Sequence, residues 1–302
     1  MVAGRTGGAK APSARGRVMT KPSSQVFGSR WLLLLLRCVG LAQRNREPQL
    51  RVSLEPDELP PPVEDEKALR KSLGSLDALG PEAIPVLQMA LRHKHWEVRA
   101  EAVGFLRRLG PEAIPMLLRA LGDQNKYVRL AAVKAMRPLA RKAPELMSPL
   151  EKALEDEYAE VRLSAVVCLG EMGSGAIPKL LGAFRDEDST VRTRAVRALS
   201  SIGTEAVPAL VDVLRDEHVE IRSKGAEALG RIGRKARGAV PALVKALGDE
   251  EPSVRAWAAK ALGKIGHGAH AAVPALVQAL HDQELLVRAW AAEALRRIQR
   301  RG

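Results

Sequence analysis

Two markers recur in step along most of this chain. A Val-Arg or Ile-Arg pair places its arginine at Arg99, Arg129, Arg162, Arg192, Arg222, Arg255 and Arg288, at steps of 30 or 33 residues. Fourteen residues before six of these arginines stands a proline: Pro85, Pro115, Pro178, Pro208, Pro241 and Pro274. In the third unit Ser148 holds that place, with Pro149 beside it. Two markers kept in register from Arg99 to Arg288 define a repeat. A repeat of this length is a small unit that cannot bury its apolar side alone, so the copies have to stack.

Each unit reads as two helices. The first starts at the proline, which suits a helix's first turn because the amides there have no acceptor within the helix. The second starts near the Val-Arg pair. Asn125 and Asp188 are suited to cap it, and Pro252 fits its first position. It ends at a glycine in most units (Gly110, Gly173, Gly203, Gly233, Gly266), a usual helix stop. Counted from the Val or Ile, apolar residues fall at +4, +5, +8 and +11, a stripe of period 3.6. Position +4 is always small: Ala102, Ala132, Ala165, Ala195, Gly225, Ala258 and Ala291. Small side chains there predict close helix approach. The fold class that follows is all-α, an α-solenoid or superhelix of about seven two-helix repeats. Aromatic residues at 3% argue against most β architectures.

The pattern resembles the HEAT-repeat family, specifically its short type named after phycobilisome lyases. The resemblance covers about residues 81–302. In that family a recurring Asp and Arg form a ladder joining adjacent repeats. The positions that match are Asp123 with Arg129, Asp156 with Arg162, Asp186 with Arg192, Asp216 with Arg222, Asp249 with Arg255 and Asp282 with Arg288. Repeat one departs, with His93 in the Asp place. An arginine in a helix's first turn opposes the macrodipole, so a carboxylate and free turn carbonyls are expected around it. Residues 67–79 align thirty back on the second helix of repeat one and read as an N-terminal half-repeat cap. The repeat domain is thus expected over 67–302. No matching cap follows the last repeat, whose apolar surface would be covered by a partner or by self-association, or its helices would fray.

Before it come two segments of other composition. The chain carries +13 overall, but residues 1–54 hold ten Lys or Arg against one acid, Glu47. That leader therefore accounts for +9, and the rest of the chain is only mildly basic. Its run Leu32–Leu36 is far shorter than the ~20 residues a membrane span needs. The leader reads as a disordered cytoplasmic tail or an over-long start, with export or an organelle transit peptide as alternatives. Residues 55–66, EPDELPPPVEDE, form an acidic, Pro-rich spacer.

No catalytic constellation emerges, and the chain is read as a non-enzyme with no cofactor and no metal. His267 and His270 offer two imidazoles without a third ligand at metal spacing. Cys38 and Cys168 are too few for a disulfide scaffold or a thiolate site, and Cys168 at +7 reads as a core residue. Some relatives in the superfamily are di-iron hydroxylases built on His-Glu pairs, and no His here precedes Glu. Others are bilin lyases.

What remains is surface. Positions +3, +6 and +10 of the second helices share one stripe, and in HEAT-like stacks second helices line the concave side. In repeats four to seven this stripe carries Arg194, Arg197, Lys224, Arg231, Lys260, Lys264 and Arg297 against Glu227 and Glu293, with Trp257 and Trp290 at +3. Tryptophan among cations is hot-spot composition. Three-residue insertions near Arg141-Lys142, Arg234-Lys235-Arg237 and His267–His270 lengthen loops on one edge. The expected function is a protein-interaction scaffold whose concave groove binds an acidic peptide or protein surface. Alternatives are a nucleic-acid-binding HEAT-like protein, as in HEAT-like DNA glycosylases, and a bilin-lyase-like enzyme subunit. Solvated helix faces, with each Trp folded over its neighbour, are the bland reading of the same stripe.

Overall fold

A computed structural model describes residues 83–300. The leader, the acidic spacer and the half-repeat expected at 67–79 lie outside the described residues. Among the described residues the regular structure is helical, in fourteen α-helices that fall into seven consecutive pairs: α1 (Ile84–Ala90) with α2 (Trp96–Leu106), α3 (Ile114–Leu121) with α4 (Lys126–Met136), α5 (Met147–Ala153) with α6 (Ala159–Met172), α7 (Ile177–Gly182) with α8 (Ser189–Ile202), α9 (Val207–Val213) with α10 (Val219–Ile232), α11 (Val240–Ala246) with α12 (Pro252–Ile265), and α13 (Val273–Ala279) with α14 (Leu285–Gln299). The chain is an α-solenoid. The hairpin turns inside the pairs run along one edge, and the connections between repeats run along the other.

Local chemistry sets these boundaries. The marker proline sits at the second helical position, so each first helix begins one residue earlier than the proline suggests. Before each second helix one residue is extended, with ψ between 121° and 125°. Asn125 caps α4 by accepting the Tyr127 amide at 2.9 Å. Asp188 caps α8 by accepting the amides of Thr190 and Val191. Gly173 and Gly203 stop α6 and α8 at φ of +85° and +84°, a conformation costly for any residue with a Cβ.

Three columns of side chains make the core. Leu87, Leu117, Leu150, Leu180, Leu210, Leu243 and Leu276, each two residues after the marker proline or Ser148, are all buried. The Val or Ile of each marker pair and the small residue at +4 are buried beside them. Full burial of one such leucine stabilises by roughly 1.5–3 kcal/mol, so the column is a major source of cohesion. A third contact joins successive second helices. A Cβ added at Gly170 would lie 2.9 Å from the Ala198 Cβ, one at Gly230 3.1 Å from the Ala261 Cα, and one at Gly263 2.9 Å from the Ala294 Cα. Position +9 of one repeat thus meets +7 of the next almost backbone to backbone. This +9/+7 column has no signature within a single repeat, because it depends on which neighbour each glycine meets.

Candidate partner-binding groove

The ladder positions fix how the repeats line up, and the groove is built on that frame. Arg99 sends Nε and Nη2 to the two carboxylate oxygens of Asp123 in the next repeat, at 2.7 and 2.8 Å. Its Nη1 donates to the turn carbonyls of His93 and Lys94. Arg129 meets Asp156, Arg162 meets Asp186, Arg222 meets Asp249 and Arg255 meets Asp282 in the same two-pronged way, each also holding two carbonyls of its own turn. The arginine therefore joins forward to the next Asp, while the Asp six residues before it supplies only a backbone carbonyl.

Each Asp does a second task. Asp123 Oδ1 accepts the Asn125 amide at 2.8 Å, and Asp156, Asp186, Asp216, Asp249 and Asp282 accept the amide two residues on in the same way. In repeat one His93 is buried and its Nδ1 accepts the His95 amide at 3.1 Å, so imidazole replaces carboxylate in the turn. Burial alone would raise the Asp123, Asp156 and Asp249 carboxyls. The arginine bond, the amide and nearby guanidinium charges outweigh it and hold all three below the usual range. For Asp282 the Arg255 hydrogen bond is the largest influence and the direction is the same.

One rung is different. Arg192 keeps its two turn carbonyls, but Asp216 is taken by Arg185 at 2.5 Å and by His218. Glu220 comes within 2.7 Å of Arg192 Nε, out of line with the N–H, so this buried nitrogen donates no hydrogen bond. Arg288, in the last described repeat, holds the carbonyls of Asp282 and Gln283.

On the second helices, the +3, +6 and +10 stripe is less open than its composition implies. Glu227 is buried, because it lies between Lys224 at 3.4 Å and Arg231 at 3.1 Å and neutralises both. Glu293 pairs with Arg296 and Arg297. Trp257 and Trp290 are half-buried, not exposed as a free hot spot would be. They flank Lys260, whose Nζ is 4.3 Å from each ring centroid. Stacking of equivalent positions one repeat apart makes this Trp–Lys–Trp sandwich. A shallow crevice beside it is lined by Lys260, Lys264, Trp290 and Glu293. Arg197 and Lys264 are exposed and Arg194 half-exposed, and none of the three side chains pairs with another described residue.

The lengthened loops carry exposed Arg234, Lys235, Arg237, His267 and His270. Arg141 and Arg137 there both reach Glu171. The rings of His267 and His270 are 6.2 Å apart, and no group of three metal-ligating side chains gathers among the described residues. Cys168 is buried, its thiol donating to the Val133 carbonyl, and burial pushes its pKa up to about 12. Among the described residues no helix is long and apolar enough to cross a membrane.

Stacked two-helix units bound by a forward Arg–Asp ladder define a helical-repeat scaffold. The family model for HEAT repeats matches residues 62–137, 147–230 and 207–296, and the chain belongs to that family. No curated protein matches the sequence. Among solved structures, importin beta is 15% identical, with a TM-score of 0.56 over 78% of this chain and 38% of that one. The complex of CpcE and CpcF of phycocyanin lyase from Nostoc sp. PCC7120 is 22% identical, with a TM-score of 0.41, covering 50% of this chain and 99% of that one. Human deoxyhypusine hydroxylase is 28% identical, with a TM-score of 0.35, covering 80% and 93%.

Proposed function

We propose that the chain is a non-catalytic scaffold that binds an acidic peptide or protein surface along the second helices of repeats four to seven. The observation that carries this reading is the row of unneutralised cations Arg194, Arg197 and Lys264, running to the Lys260 held between two tryptophans. Lys224, Arg231 and Arg297 flank the row but spend their charge on Glu227 and Glu293, so they shape the surface more than they attract a ligand. Second helices of HEAT-like stacks lie on the inner curve, and their near-backbone approach at Gly230 and Gly263 supports that curvature here.

The test is direct. A full chain carrying Arg194→Glu, Arg197→Glu and Lys264→Glu should keep its helical circular dichroism and lose at least about ten-fold in affinity for a glutamate-rich peptide, since rim charges steer binding. Undiminished affinity refutes this placement. A nucleic-acid partner would instead show duplex DNA binding that falls steeply with salt. It would also depend on the same three residues, not on the basic leader.

A further inference from the structure

A second surface lies on the edge of hairpin turns, away from the groove. There Trp96 stacks on Tyr127 with ring centroids 4.8 Å apart, across the boundary between repeats one and two. Lys126 Nζ sits 4.0 Å from the centroid of Tyr158, carrying the strip into repeat three. Tyr127 is 48% exposed, more than any other described Trp, Tyr or Phe. Next to this strip is a depression of about 380 Å³ bordered by Arg92, Arg119 and Asp123. The two arginines are exposed and pair with no described acid.

The same edge changes sign along the solenoid. Directly after the ladder Asp, or after His93 in repeat one, stand Lys94 and Gln124, followed by Glu157, Glu187, Glu217 and Glu250. Those four glutamates are 71%, 82%, 85% and 84% exposed. A negatively charged ligand is attracted at repeats one and two and repelled beyond them. Aromatic rings beside cations accept an extended proline-rich chain, whose polyproline II form is already ordered before binding.

We infer that this aromatic, basic turn edge is the docking site for the chain's own acidic spacer, residues 55–66, with Pro60-Pro61-Pro62 against Tyr127 and Trp96. Charge agrees, since the spacer has six acids and no Lys or Arg. Length agrees as well. Twelve residues of polyproline II reach about 37 Å, whereas three hairpin turns spaced by packed helices cover roughly 20 Å. Connectivity permits it, since only sixteen residues separate the spacer's end at Glu66 from Ala83, where the described solenoid begins. The Trp96–Tyr127 stack also serves repeat packing, but packing alone gives no reason for an unpaired Arg92 and Arg119 beside it.

The experiment uses full-length protein and a fluorescein-labelled synthetic peptide with the sequence of residues 55–66. The chain carrying Pro60→Ser, Pro61→Ser and Pro62→Ser should bind this peptide at least about five-fold more tightly than the unaltered chain, whose site is already filled at high effective concentration. Adding Lys126→Glu and Tyr127→Ala to that variant, both on the outer side of α4, should abolish binding while Lys245→Glu on α11 leaves it intact. Equal affinity for the unaltered and proline-free chains overturns the inference. So does loss of binding through Arg194→Glu and Arg197→Glu in place of the edge substitutions, an outcome that favours the groove proposed above. An affinity difference that disappears on dilution of the protein assigns the occupant to a second copy and overturns docking within one chain.

Discussion

Alanine at position 225 tests how the two helices of one hairpin are fitted together. Six repeats have alanine at +4, and in each the residue twelve places earlier, on the first helix or directly after it, is alanine as well: Ala90 before Ala102, Ala120 before Ala132, Ala153 before Ala165, Ala183 before Ala195, Ala246 before Ala258 and Ala279 before Ala291. The fifth repeat has Val213 and Gly225 instead. A Cβ on Gly225 would sit 2.7 Å from the Val213 Cγ1, well inside contact distance. Gly225→Ala gains about 1 kcal/mol of helix propensity and loses roughly 1–3 kcal/mol to overpacking, a net cost of about 0–2 kcal/mol. Val213→Ala alone leaves unfilled space against a glycine and costs about 1 kcal/mol, low in the usual range because Val213 is only half-buried. The double variant restores the pair found in the other six repeats. It should match or exceed the unaltered protein, giving a coupling of about −1 to −3 kcal/mol. Repeat arrays need not unfold in one step. The measurement is therefore urea unfolding by circular dichroism, with hydrogen exchange of α10 as the local readout. Additive single effects, within about 0.5 kcal/mol, would show that the two positions do not sense each other.

Arg162→Ala should destabilise by roughly 3–5 kcal/mol, since it leaves the largely buried Asp186 without its partner, whereas Arg192→Ala, whose Nε donates no hydrogen bond, should cost distinctly less in the same urea assay. Asp123, Asp156, Asp249 and Asp282 have folded-state pKa values below their unfolded ones, so their contribution is complete above about pH 4 and is lost as pH falls through the folded values; thermal unfolding midpoints that stay level from pH 5 to pH 2 would contradict this. Cys168, with its thiol pushed up to about 12, should fail to react with a disulfide reagent at pH 8 in the folded protein and react fully in urea.

The repeat and its helices are legible because they rest on signals within a single unit. Proline and glycine mark ends, and a 3.6 period marks the buried side. The +4 column is legible for the same reason, since residue size at one register is visible without knowing the neighbour. Contacts between units are harder. The six-residue offset from Asp282 to Arg288 suggests a local pair, yet Arg99, Arg129, Arg162, Arg222 and Arg255 reach forward 24 or 27 residues to their Asp, a choice made by the stacking geometry. Gly170, Gly230 and Gly263 pass as ordinary helix glycines until the +7 alanine of the next repeat is seen against them. The groove composition is likewise readable, but its charge is not. Glu227 is one acid in a basic stripe by sequence, and only its burial between Lys224 and Arg231 shows that it cancels two cations. Trp257 and Trp290 look like free anchors until the 33-residue spacing places Lys260 between them.

In a solenoid each repeat contacts only its neighbours, so stability is close to a sum over interfaces and the weakest interface decides where the stack opens. Between the fourth and fifth repeats two joining contacts are altered together. Asp216 is diverted to Arg185, and +9 is Ser200 in place of the glycine found in the third, fifth and sixth repeats. The serine hydroxyl lies 2.6 Å from the Val196 carbonyl and 3.3 Å from the Ala228 carbonyl, so a polar bridge stands where Gly230 and Gly263 allow direct backbone approach. The loss of the two-pronged rung and a hydroxyl bridge in place of direct backbone approach both lower the cost of local opening there. The proposed groove crosses this seam, with Arg194 and Arg197 on one side and Lys260 and Lys264 on the other. Among the described repeats, a ligand held by both sides would contribute its binding energy to the one interface without a two-pronged Arg–Asp rung, which is joined instead by Arg185 with Asp216 and Arg192 with Glu220.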